Sequence, residues 1–300
     1  MLVKLSGITI FVKRDIVYMP YLFLIIFLAA AFLLQFLTGN FPVSLMAFPL
    51  NLILAAIWYG SMYLLWKRRN KSLFVQFMLS PGATFWSIFL FTDACVVIGL
   101  TGMRSLTTTW VFLFILLFLL TVLFFVILRG WRQPTQTGAR LGKIRWRFLL
   151  NHVGLSLALG AGFWGAPDSE TVKLMAFEGK PVEHAVIPGV GRVNIKYDVF
   201  LEDFRLERFE NGVPSMFEAD VKVDGKPVNL RVNHPYSITF ADQLYLSGYD
   251  SKAGEESAWC TMQIVHEPWK CWAATGILMM LAGALMMFVQ GPRRRQSIND

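Results

Sequence analysis

Phe148-Leu149-Leu150-Asn151-His152-Val153-Gly154-Leu155-Ser156-Leu157-Ala158-Leu159-Gly160-Ala161-Gly162-Phe163-Trp164-Gly165-Ala166-Pro167-Asp168-Ser169-Glu170 changes character part-way, and that change decides the fold. Up to Gly165 the residues are apolar or small, apart from Asn151 and His152. Beyond it carboxylates take over. Residues 166–270 hold 11 Lys and Arg against 17 Asp and Glu, a net charge of −6, while the rest of the chain carries +14. An apolar helix therefore leads straight into an acidic, water-soluble segment.

The chain as a whole has 300 residues, of which 55% are hydrophobic and 16% charged. Its mean hydropathy is +0.50. A soluble domain carries roughly 25% charged residues, so a wholly soluble enzyme and a disordered chain are both excluded. Three cysteines cannot staple a chain of this length. An integral membrane protein with one soluble part remains. A bilayer core of about 30 Å takes roughly 20 apolar residues as helix. Six stretches meet that need: 18–37, 45–66, 84–100, 107–128, 148–165 and 272–290. The first has an apolar run too long for a signal peptide and reads as a retained helix.

Charge sets the orientation. Lys4, Lys13, Arg14, Lys67, Arg68, Arg69, Lys71, Arg129, Arg132, Arg140, Lys143, Arg145, Arg147, Arg293, Arg294 and Arg295 fall in alternate gaps between the stretches. The opposite short loops hold only Arg104. The positive-inside rule then places both termini in the cytoplasm and segment 166–270 outside. The basic pI of about 9.5 follows from these topology signals. It does not point to a nucleic-acid partner.

Within the outer segment, apolar residues alternate with period two, the mark of strands. Val193, Ile195, Tyr197 and Val199 share a face, as do Phe217, Ala219, Val221 and Val223. Asp224-Gly225 then precedes Val228, Leu230 and Val232, a hairpin signal. Ile238 and Phe240, Leu244 and Leu246, and Cys260, Met262 and Ile264 continue the pattern. The fold expected is an α-helical integral membrane protein of about six transmembrane helices. An extracytoplasmic all-β domain, a sandwich or partly open barrel, is inserted before the last helix. The divisions are 1–165, a five-helix bundle; 166–270, the β domain; and 271–300, the final helix with a basic cytoplasmic tail.

No phosphate-binding loop, His-Glu-x-x-His, Cys-x-x-Cys or Gly-x-Ser-x-Gly occurs. Candidate functional residues are therefore single polar groups in unusual places. His152 lies a few residues inside the fifth stretch. Gly154, Ala158 and Gly162 form one small-residue row on this helix, and His152, Ser156 and Gly160 form another. Small rows on two sides point to an enclosed helix. An intramembrane histidine is costly, and it serves as metal or haem ligand, proton relay or interhelical hydrogen bond. The plainer alternative is a bond to Asn151 or to a backbone carbonyl. Asp93 sits near the middle of the third stretch, as a proton or polar-ligand site or as a partner of Gln35 or Thr92. Arg104, at the outer end of that stretch, meets an anionic headgroup or propionate, or snorkels to the interface. His234 and His266 are either iron ligands or membrane-surface residues, and His184 reads as a solvated loop residue. Cys95 reads as a packing residue, and Cys260 and Cys271 as poorly placed for a bridge.

Several motifs occur in a telling order. Asn151-His152-Val153-Gly154 opens the helix before the β domain. The domain carries Val199-Phe200-Leu201-Glu202-Asp203-Phe204 and Arg208-Phe209-Glu210-Asn211-Gly212-Val213-Pro214. Val232-Asn233-His234-Pro235-Tyr236 and Gln243-Leu244-Tyr245-Leu246-Ser247-Gly248-Tyr249-Asp250 follow. Glu267-Pro268-Trp269-Lys270 precedes the final helix. Over about residues 148–290 this series resembles the ResB (CcsB) family of cytochrome c biogenesis membrane proteins. Typical members have fewer helices before the domain and a longer outer domain.

The resemblance implies a subunit, more accessory than catalytic, that works with a CcsA-type haem-handling protein in the bacterial cytoplasmic membrane. It implies haem b, carried to the outer face and joined to apocytochrome c. The partner family's tryptophan-rich haem motif is absent here. By position, His152 matches the family histidine implicated as a membrane haem ligand. Two other functions stand beside this one. The first is a membrane-anchored scaffold or receptor whose β domain binds a protein without a cofactor. The second is a small-molecule or ion transporter built around Asp93. Partners in the haem-handling reading would be the CcsA-type protein, apocytochrome c and membrane lipid.

Overall fold

A computed structural model describes residues 7–69, 71–131, 144–211, 214–254 and 257–290, with side chains from Leu22 onward. The chain divides into a helical unit, up to Pro167 and from Cys271, and a β unit, Asp168–Lys270.

The helical unit contains α1 (Gly7–Thr38), α2 (Leu50–Lys67), α3 (Leu73–Met78), α4 (Pro81–Thr101), α5 (Trp110–Gly130), α6 (Trp146–Gly165) and α7 (Lys270–Gln290). Local chemistry sets their limits. Ser80 Oγ accepts from the Ala83 N–H at 3.1 Å, and Pro81 opens α4 where its missing N–H costs nothing. Gly102, at φ 65°, ends α4 in the left-handed region that glycine enters freely. Thr109 caps α5 by accepting from the Phe112 N–H at 3.2 Å.

Among the described residues, α4, α5, α6 and α7 are long and apolar enough to cross a membrane. In α1 the described apolar part is Leu22–Thr38. The 18-residue α2 carries Asn51, Tyr59, Ser61, Tyr63 and Lys67, which lower its hydropathy. The basic positions 4, 132, 140, 143 and 293–295 lie outside the described residues, as does Gly212 of the turn motif. The six-residue α3 was not foreseen. Its Val75, Phe77 and Met78 are buried in the bundle core with Phe118, Val122 and Phe125 of α5. Arg129 Nη1 donates to the Leu79 carbonyl at its C-terminus.

Helix α5 is the centre, with half of its span buried, while only 11% of the α4 and α7 spans is. Helices α6 and α7 meet through glycine. A Cβ on Gly276 would stand 2.5 Å from the Gly154 carbonyl oxygen and 3.0 Å from Ala158 Cβ, and one on Gly154 would meet Gly276 in turn. This is the close backbone approach that small residues permit between membrane helices. Gly162, the third member of the expected row, has open space around it.

The β unit has nine strands: β1 (Glu170–Phe177), β2 (His184–Ile187), β3 (Gly191–Asn194), β4 (Val199–Arg208), β5 (Pro214–Val223), β6 (Lys226–Arg231), β7 (Tyr236–Ser237), β8 (Asp242–Tyr249) and β9 (Trp259–His266). One antiparallel sheet runs β3-β2-β1-β9-β8-β7, and a second runs β4-β5-β6. Both contribute to a single core. Leu174, Cys260, Met262 and Leu244 come from the first sheet, and Val199, Leu201, Val221 and Leu230 from the second. The Asp224-Gly225 hairpin forms as expected, with φ of 48° and 75° and Val223 paired to Lys226.

Three expectations need correction. The alternation from Val193 to Val199 is not one strand. The ladder stops at Asn194 and resumes at Val199, and the chain passes between sheets in the gap. The alternation survives because Val193, Ile195, Tyr197 and Val199 all belong to the core or pack against it. Phe240 is 65% exposed rather than interior. There Thr239 Oγ1 accepts from the N–H groups of Ala241 and Asp242 and turns the chain back. His184 begins strand β2 and faces outward, so it is solvated but not in a loop.

The glycine seam yields a contrast. Gly276→Ile should lower stability by about 1–3 kcal/mol through overpacking. Gly162→Ala, placed in open space, should leave it unchanged or raise it by up to about 1 kcal/mol. Detergent-denaturation curves of the full chain, followed by helical circular dichroism, compare the two.

Candidate functional site

His152 is held in one orientation by its own helix and by α5. A carbonyl oxygen can only accept, so Nδ1, 2.9 Å from the Phe148 carbonyl, carries the ring proton and donates it. The free lone pair is then on Nε2. The imidazole stacks on the Phe148 ring with centroids 4.0 Å apart and planes 24° from parallel. Phe148 in turn lies against Gly130 of α5, where any Cβ would collide with the ring. The Arg145 guanidinium covers that ring at 4.8 Å, and its Nη1 donates to the Gly130 carbonyl. Of the plainer alternatives, the backbone carbonyl is the partner observed. Asn151 donates instead to the Arg147 carbonyl and lies beside Gly283 of α7.

His266 is oriented more firmly still. It lies opposite Asp242 in the β8–β9 ladder, and its Nδ1 donates to Asp242 Oδ1 at 2.6 Å. Asp242 is 3% exposed. Its Oδ2 accepts from the Tyr197 hydroxyl at 2.5 Å and the Thr239 hydroxyl at 2.8 Å, with Lys196 Nζ at 3.4 Å. Burial alone would push this carboxyl up. The Tyr197, His266 and Thr239 donors, with the charge of the His266 ring, outweigh burial and hold it well below the usual carboxylate range. The His266 side chain is 38% exposed, and in the neutral ring Nε2 is the free acceptor. Asp242, Tyr197 and Thr239 were not foreseen. Tyr197 lies 45 residues from Asp242 in sequence, and no local pattern marks the pair.

The other candidates stand apart. His234 follows the Val232-Asn233 turn, where Asn233 takes φ 64°. Its N–H bonds the Arg231 carbonyl, and its exposed side chain has no partner among the described residues. Arg104 opens the turn after α4 and is exposed. Asp93 is exposed on α4 and lines a cavity of about 490 Å³ with Gln35. Gln35 is not its partner, because that amide donates to Asn40 and accepts from the Trp110 N–H. Among the described residues no three His, Cys, Asp or Glu side chains gather as a metal site. All three cysteines are free thiols. Burial raises the Cys260 thiol to about 12, which leaves it unreactive near neutral pH.

The Asp242 cluster has a definite pH signature. A carboxylate whose folded value is depressed stabilises the fold fully above its unfolded value, near 4. That contribution is lost as pH falls through the folded value. Protection of β8 and β9 amides in the full chain should therefore hold from neutral pH to about 4 and decline below it. Asp242→Asn should cost about 2–3 kcal/mol at neutral pH and flatten that acid slope. Hydrogen exchange measured against pH reads both effects.

Comparison with known proteins adds the following. No curated protein matches the chain. A solved structure titled "Cytochrome c Heme Lyase CcmF" aligns at 16% identity with a TM-score of 0.36. The alignment covers 87% of this chain and 44% of that one, so this chain spans less than half of its length. The family model described as the ResB-like family matches residues 139–260. That stretch runs from just before α6 to the start of β9 and includes His152 and Asp242. The resemblance read from the motifs around the β domain is thus met by a match of the ResB-like family model over residues 139–260.

Proposed function

We propose that this chain is a membrane subunit of cytochrome c biogenesis. It works beside a CcsA-type protein in bringing haem to the outer face of the bacterial cytoplasmic membrane for attachment to apocytochrome c. Six spans, two cytoplasmic termini and an outer β domain between 166 and 270 complete the reading. Its divisions are 1–165, 166–270 and 271–300.

The observation that carries the proposal is the state of His152 within the ResB-like stretch. Its Nδ1 proton is committed to the Phe148 carbonyl, which leaves Nε2 as a ready donor to iron. Neutral imidazole oriented by a hydrogen bond at its other nitrogen is the usual form of a histidine ligand. His152 would thus be able to hold haem b through Nε2, and a bound haem would supply the group to be exported and attached. Phe148 and Arg145 would hold the ring in place. His266 has the same arrangement with a stronger acceptor, Asp242, and is a second candidate ligand. His234 lacks any such orienting bond among the described residues. The chain's own part is to orient imidazoles and present the β domain, as an accessory subunit and not a catalyst.

One observation favours a second reading, in which the β domain is a docking platform without a cofactor. Met175 and Phe177 of β1 and Val186 of β2 are 51%, 44% and 46% exposed on the outer face of the six-stranded sheet. Absorption spectra separate the two readings. Wild type and His152→Ala are purified in detergent with any co-purifying partner. The haem reading expects a Soret band that falls by half or more, or shifts, in His152→Ala. Absence of haem from both preparations, with normal cytochrome c maturation in a deletion strain, would leave the docking platform as the function.

A further inference from the structure

Asp93 is the thirteenth of the 21 residues of α4, which puts it within about 3 Å of the middle of the helix along its axis. It makes no hydrogen bond or ion pair among the described residues, and its side chain is exposed on the bundle surface. A carboxylate left facing hydrocarbon at mid-bilayer costs about 3 kcal/mol or more. The space beside it is shaped. Phe32 and Gln35 of α1 form one wall, Leu90, Asp93 and Val97 of α4 the other, and Ile115 of α5 lies at the floor. The α4 face continues outward through Phe89, Val96 and Leu100, which are 49%, 50% and 84% exposed.

From this geometry we infer that the α1–α4 groove is the seat of a transmembrane helix from a different polypeptide, one that brings a basic side chain to the depth of Asp93. Charge decides the occupant. A lipid tail offers no donor, and headgroups lie too far from mid-bilayer. A second copy of this chain cannot supply the cation, because no Lys or Arg lies in the central two turns of any of its long helices. Two copies facing each other through α4 would oppose carboxylate to carboxylate. A Lys or Arg on a foreign helix would neutralise Asp93 and replace its lost hydration. This inference rests on α4 spanning the membrane and does not depend on haem or cytochrome c, so the two readings fail separately.

The test uses the full chain in its native membrane, with a photo-crosslinking residue at Val97 and, as a control, at Leu278 on the exposed face of α7. The expected result is a crosslink from Val97 to an apolar segment of about 20 residues in another polypeptide, carrying Lys or Arg. Asp93→Glu keeps the yield, and Asp93→Leu lowers it at least tenfold at equal protein levels. If Asp93→Leu does not accumulate, purified wild type in nanodiscs gives a second reading. A polyleucine transmembrane peptide with one central arginine should crosslink at least tenfold more than its all-leucine twin. Crosslinks to lipid alone, a yield indifferent to Asp93, or equal yields from the two peptides would overturn the inference.

Discussion

A carboxylate withdrawn from water needs its hydration replaced, or it costs several kcal/mol. Asp242 meets that need with donors from three parts of the β unit. The His266 ring comes from the neighbouring strand, the Thr239 hydroxyl from the turn before β8, and the Tyr197 hydroxyl from the crossover into the second sheet. The requirement therefore fixes more than one side chain. It holds the β8–β9 register at its end and fixes the turn that reverses the chain after β7. It also pins the point where the chain leaves one sheet for the other. The sandwich core of Leu174, Met262, Val199 and Val221 drives the sheets together without direction, and the Asp242 cluster supplies the direction.

The helical unit relies on a different constraint, the absence of side chains. Gly154 and Gly276 bring two backbones together where even one methyl group would collide. Gly130 does the same for the Phe148 ring, which then supports the His152 imidazole. A glycine at the end of α5 thereby positions a ring on α6. Orientation of the candidate ligand becomes a property of helix packing as much as of the ligand's own hydrogen bond.

Features with a local period were legible in the sequence. Long apolar runs marked the helices, alternation marked the core faces, and Asp224-Gly225 marked a turn. Whatever depended on distant partners was not. Helix α3 is too short to show a period, and its burial comes from α5, some 40 residues away in sequence. Tyr197 kept its place in the alternation while the strand around it broke, because side-chain facing and ladder hydrogen bonding are separate demands. His152 and His266 stood out as rare residues. The groups that orient them did not, since a backbone carbonyl carries no sequence signal and Asp242 is one acid among many. The alternation of β1, with Val172 and Leu174 facing inward and Lys173 and Met175 outward, has the same local period.

Strands β1 and β9 pair along their whole length, from Glu170 opposite His266 to Phe177 opposite Trp259. At their base the Trp269 indole N–H donates to Asp168 at 2.6 Å. The first and last strands of the β unit are thus its central pair, and both chain ends leave from the same edge. Tension applied through those ends would load the hydrogen bonds one after another, as a zipper is loaded, rather than all at once in shear. Such a geometry yields at low force. The first rungs to part would be the indole–carboxylate clasp and then Glu170–His266. Any pull that drew the two connecting segments apart would disturb the imidazole beside Asp242 before it reached the core.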